Sequence, residues 1–219
     1  MLDYLRKDLF EPAALSADGS ARAQYETRAK LLKRALGAGG AVLAGGAVVA
    51  GLPNLAESAP SPAQDAEILN LALLLEHMEL DFFTEASVSG KLTGELLEFA
   101  DIVRGHERAH VAFLRDALGR KARKRPAFDF GNTTQNPAAF LSAAVALQDL
   151  MVAAYNGQAA NLTTGALESA AKIVSVEARH AGWIRAIAEK NPAPDAVDTP
   201  KTAAAVTAAV NKTKFLKSD

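Results

Sequence analysis

The chain of 219 residues contains no cysteine. That excludes disulfides and thiolate ligands, so any bound metal must be held by Glu, Asp and His, a donor set suited to iron, manganese or zinc. Charge of one sign is also missing. The 24 Lys and Arg against 25 Asp and Glu leave a formal net charge of −1. That balance gives no electrostatic reason to expect nucleic acid as a partner, since phosphate binding calls for a concentrated basic face. Histidine is scarce, at four residues. His77, His106 and His110 fall in two segments that also carry glutamates, and His180 is the fourth. Hydrophobic residues are not scarce. At 49% of the chain they suffice, at this length, for one sizeable core with tails.

Against that background two short patterns stand out. Gly105-His106-Glu107-Arg108-Ala109-His110 sets Glu107 and His110 three residues apart, so on a helix both point the same way and can share one ion. Glu177-Ala178-Arg179-His180 repeats the pair. A single Glu-x-x-His arises easily by chance, whereas two at matching heights in a helical bundle are far more specific. The first copy also spells His-Glu-x-x-His, the zinc-protease pattern in which both histidines bind zinc and the glutamate is general base. That reading needs a third ligand, which the sequence supplies at no recognisable spacing. It also leaves the second pair unexplained, because Val176 stands where a second His106 would be.

The first 63 residues read as a leader. A polar, mixed-charge segment ends in Arg28, Lys30, Lys33 and Arg34 and precedes an apolar run, Ala35 to Leu52, which is the layout of an export signal; a buried Gly/Ala helix is the alternative. The run barely reaches the roughly 18 residues a spanning helix needs. Thr27 to Lys33 resembles a twin-arginine export motif with Ala29 in place of the second arginine. Pro53 to Ala63 reads as a linker whose Ser61-Pro62-Ala63 suits cleavage among small residues. The expected location is therefore outside the cytoplasm, periplasmic or anchored at a membrane through this segment alone.

Residues 64–190 carry helical periodicity throughout. Leu69, Leu73, Leu80 and Phe83 form the stripe of a first helix that Gly90 stops, with Glu76 on the stripe and Glu79 at its edge. A second helix runs from Thr93 to Gly119, before the basic run Arg120 to Arg125, which reads as a solvated turn. Residues 126–137 show no helical period and form a connection long enough to cross a bundle from end to end. Asn136-Pro137 opens a third helix with Gln148 and Tyr155 inward, Tyr155 as packing or as a hydrogen-bond donor to a ligand. A fourth follows Thr163-Thr164-Gly165 and ends at Asn191-Pro192. The tail, 191–219, offers a short Ala/Val helix. Short, long and short connections describe an all-α antiparallel four-helix bundle with one crossover between helices 2 and 3. Counted along the helices, Glu76, Glu107, His110, Gln148, Glu177 and His180 all reach mid-bundle.

This arrangement resembles the ferritin-like superfamily, whose dinuclear members take one Glu from each of two helices and a Glu-x-x-His from each of the other two. Leu69 to His77, Ala146-Leu147-Gln148-Asp149 and Ala153 to Gly157 look more closely like the bacterial ferritin-like group that includes desiccation-related proteins. The resemblance implies that Glu76, Glu107, His110, Gln148, Glu177 and His180 are metal ligands. It implies two iron ions, with manganese or zinc as alternatives, and an oxidative role toward dioxygen or peroxide in a stress response. Family members with a full site carry Glu where this chain has Gln148, so the second ion is expected to bind more weakly. A metal-free structural or interaction bundle with a degenerate site is the other reading. The resemblance names no catalytic residue, organic substrate or oligomeric state.

Overall fold

The computed structural model describes residues 59–217, so the basic segment, the apolar run and most of the expected linker lie outside the described residues. Among the described residues five α-helices follow one another: α1 (Pro62–Val88), α2 (Gly94–Leu118), α3 (Pro137–Gln158), α4 (Thr164–Ile187) and α5 (Ala203–Thr213). Ser61 caps α1 by accepting from the Gln64 amide at 3.3 Å, and Pro62 occupies the first turn. The expected linker therefore ends two residues early. Cleavage after Ala63 would remove both the cap and the proline that start the helix.

Residues 89–93 fold α2 back on α1, and residues 159–163 fold α4 back on α3. Asp65, near the start of α1, ties the hairpins together by accepting from the Thr163 backbone N–H at 2.9 Å and its hydroxyl at 2.5 Å. Gly119 ends α2 at a φ of 53°, where a side chain would be strained. The crossover then runs along α1. Buried Asn70 donates to the Lys121 carbonyl at 3.0 Å and accepts from the Arg123 amide at 2.8 Å. Arg123 pairs with Glu67, and Arg125 with Asp81. These exposed pairs contribute only about 0–1 kcal/mol each; the buried Asn70 fixes the path more firmly.

One end of the bundle is filled by phenylalanines. Phe82 stacks on Phe140 at 5.2 Å and meets Phe83 and Phe130 edge-on. Phe99 meets Phe83 and Trp183 in the same manner. Among the described helices only α3 is long and apolar enough to cross a membrane. Most of its apolar residues from Phe140 to Tyr155 are buried against the other helices, as in the core helix of a bundle.

The tail packs more closely than a short appended helix would. Val206 and Val210 of α5 are buried, as is Phe215, which meets Phe130 at 5.1 Å. Phe215 and Lys217 exchange backbone hydrogen bonds with Asp129 and Ala127 of the crossover. The approach to α5 is set where the Lys201 amide donates to the Ala153 carbonyl at 2.9 Å. There the Lys201 backbone lies where a Cβ on Gly157 would stand. Gly157→Ala is expected to push this segment off α3 and cost about 1–3 kcal/mol, read as a lower thermal midpoint. An unchanged midpoint would show that the tail contributes little to the fold.

Candidate metal centre

Each helix of the bundle delivers polar side chains to one level of the core. α1 brings Glu76 and, one turn on, Glu79; α2 brings Glu107 and His110; α3 brings Gln148; α4 brings Glu177 and His180. Glu76, Glu79, Glu107, Gln148 and Glu177 are 0% exposed, while His180 is 3% and His110 9% exposed. Ligand atoms of Glu76, Glu107, His110 and Glu177 all lie within 4.8 Å of one another, close enough to hold a metal ion.

Distances give the cluster a two-sided form. His110 Nδ1 is 3.0 Å from Glu177 Oε1, 3.1 Å from Glu107 Oε2 and 3.3 Å from Glu76 Oε2. His180 Nδ1 is 3.4 Å from Glu107 Oε1 and 3.4 Å from Glu177 Oε2. Glu107 and Glu177 thus each turn one oxygen to one histidine and the other oxygen to the second. The Glu-x-x-His spacing produces this directly, because each pair lies on one face of its helix.

Neighbouring side chains hold the cluster in place. Tyr155 donates to Glu76 Oε1 at 2.6 Å, so its hydroxyl anchors a carboxylate beyond any packing role. His106 Nδ1 lies 2.8 Å from His180 Nε2, with the rings within 10° of parallel, which aims the other nitrogen of His180 at the carboxylates. The zinc-protease reading needs His106 beside His110 and Glu107 free as a base; instead His106 turns to His180 and Glu107 is buried among carboxylates. His77 is buried but stays apart from the cluster, with Arg125, Asp81 and Arg115 as its charged neighbours.

Glu79, expected at the edge of the α1 stripe, belongs to the core. It is fully buried, and Gln148 Nε2 donates to its Oε2 at 2.6 Å. The signal was present: Leu75, Glu79 and Phe82 follow helical spacing along one face. Among the described residues, Glu79 Oε1, Gln148 Oε1 and Glu107 Oε1 make no hydrogen bond. Such uncommitted buried acceptors are rare in a finished core and suit a cation. On the solvent side, a cleft of about 280 Å³ between α2 and α4, walled by Ala109, Val176, Arg179 and Trp183, opens onto His110 and His180.

Protons and imidazole offset part of the buried charge. Burial, reinforced by Glu177 and Glu76, raises Glu79 well above the ordinary carboxyl range, and burial with Glu177 and Glu76 does the same to Glu107. Burial pushes His110 down, but hydrogen bonds to Glu177 and Glu76 outweigh it and hold the imidazole at about 9. Burial likewise pushes Glu177 up, and its bonds to His110 and His180 outweigh that and leave it below its usual value. A group whose folded pKa is raised contributes stability that is complete below its unfolded value and is lost as pH rises through the folded one. For His110 that window runs from 6.5 to about 9; Glu79 and Glu107 act in the same direction from 4.5 upward. The thermal midpoint of the metal-free protein should therefore fall between pH 6.5 and 9. A flat or rising profile across that range would contradict this proton inventory.

The four helices that build the cluster coincide with the segment that aligns to known sequences. A comparison with curated proteins finds no match, while the ferritin-like domain family matches over residues 64–190. That stretch runs from the first turn of α1 to just past the end of α4, more than half of the chain, and the protein belongs to the ferritin-like domain family.

Proposed function

We propose that the protein binds two divalent transition-metal ions, iron foremost with manganese or zinc as alternatives, through Glu76, Glu107, His110, Gln148, Glu177 and His180. The observation that carries this reading is the convergence of Glu76, Glu107, His110 and Glu177 ligand atoms within 4.8 Å at a buried level of the bundle. Oxygen and imidazole donors without thiolate suit iron, manganese and zinc. The opposed oxygens of Glu107 and Glu177, each turned to a different histidine, favour two ions over one. Against a metal-free bundle stands the cost of burying several carboxylates with only two nearby imidazoles to balance them.

Within this reading the side chains have separable tasks. Tyr155 fixes Glu76, and His106 fixes His180. The phenylalanine cluster excludes water from one end of the core, and the cleft beside His110 leaves the other approach open. Iron bound there supplies one-electron chemistry toward dioxygen or peroxide, and a role in oxidative or desiccation stress rests on the family resemblance. Export of the bundle, on the basic and apolar segments before Leu52, belongs to the same proposal; recovery of the intact chain, Met1 included, from the cytoplasm would contradict it.

Anaerobic calorimetric titration of the metal-stripped full chain with ferrous iron tests the central claim. The expected result is up to two equivalents bound with release of protons, seen as a dependence of the apparent heat on the buffer's ionisation enthalpy. Absence of binding by ferrous, manganous and zinc ions alike would refute the metal reading.

A further inference from the structure

We propose that Glu79 is a fourth anionic ligand of the metal centre and that Gln148 is the residue that holds it in place. This inference rests on the metal reading above. Glu79 is 0% exposed, and among the described residues its one side-chain hydrogen-bond partner is the neutral Gln148 amide at 2.6 Å. An amide N–H satisfies one lone pair of a buried carboxylate but cancels none of its charge. The Oε1 atoms of Glu79 and of Gln148 are both buried and both make no hydrogen bond among the described residues. Two uncommitted oxygens, held by one bond between their own side chains one turn from Glu76, form a ready pair of donors for a hard or borderline cation.

The glutamine then reads as compensation and not as decay. With Glu76, Glu79, Glu107 and Glu177 in one core, four carboxylates balance two divalent cations, so a fifth at position 148 would be surplus. A carboxylate at the distance seen between Gln148 and Glu79 would also repel Glu79 unless one of the two took up a proton. A donor at position 148 instead aims Glu79 without placing a second charge beside it, so Glu79 is free to give up its proton when a cation binds. The sequence pattern shows a missing charge on α3; the structure finds that charge on α1, across a single hydrogen bond.

Three proteins test the inference: the full-length wild type, Glu79→Gln, and the exchange Glu79→Gln with Gln148→Glu. Each is stripped of metal and titrated anaerobically with cobalt(II), read by visible absorption for coordination and by calorimetry for stoichiometry. Glu79→Gln should lose one bound equivalent or bind it at least about tenfold more weakly. The exchange, which restores one carboxylate and one amide across the same bond, should recover most of that loss. Wild-type stoichiometry and affinity in Glu79→Gln would overturn the inference while leaving the metal centre intact. A wild type that binds no cobalt would instead refute the metal reading itself, and this inference with it. If Glu79→Gln loses its helical circular dichroism, the exchange variant decides: near-wild-type binding supports the pair, and lost binding overturns it.

Discussion

Four carboxylates buried at one level of a helical core impose the constraint on which the rest of this structure depends. Taking a carboxylate out of water costs several kcal/mol even after relaxation, so the group must be neutralised by protons, by imidazolium or by metal. The protein has donors for each case. His110 sits 3.0 to 3.3 Å from three of the carboxylates, and Glu79 and Glu107 are poised to keep protons when no cation is near. A divalent ion would replace several of these protons at once, which is how metal uptake becomes coupled to pH and to stability.

The scaffold answers to the same constraint. Polar side chains hold a fixed position only if the helices that carry them cannot slide. Asp65 pins α1 to the α3–α4 turn, and Arg185 grips Asp149 through two bonds of 2.8 Å between α4 and α3. The phenylalanines beyond Glu79 form a dense apolar plug, and Phe215 from the tail completes it. The tail thus belongs to the bundle through its core contacts even though it carries none of the site's chemistry.

Much of this was legible in the sequence, for a physical reason. A Glu-x-x-His on a helix fixes its own geometry, so Glu107 with His110 and Glu177 with His180 could be paired without knowing the fold. Heights along short-looped hairpins then brought Glu76 and Gln148 towards mid-bundle; both are fully buried, with Gln148 bonded to Glu79, one turn on from Glu76. What periodicity could not supply were contacts between helices. The broad stripe of α1 left Glu79 undecided between edge and core, and its partner Gln148 lies on another helix. The bonds from Tyr155 to Glu76 and between His106 and His180 depend on interhelical spacing. The path of the crossover rests on Asn70, a buried amide whose partners lie far along the chain.

The account's central claim is that a cation, and not only protons, neutralises this core. Crystals of the protein grown with manganese or iron, with anomalous diffraction recorded on both sides of the metal's absorption edge, measure that directly. The account predicts anomalous peaks enclosed by Glu76, Glu107, His110, Glu177 and His180, at metal–ligand distances of about 2.0–2.2 Å. A map without anomalous density at that level, with the carboxylates instead hydrogen-bonded to one another and to His110, would contradict it.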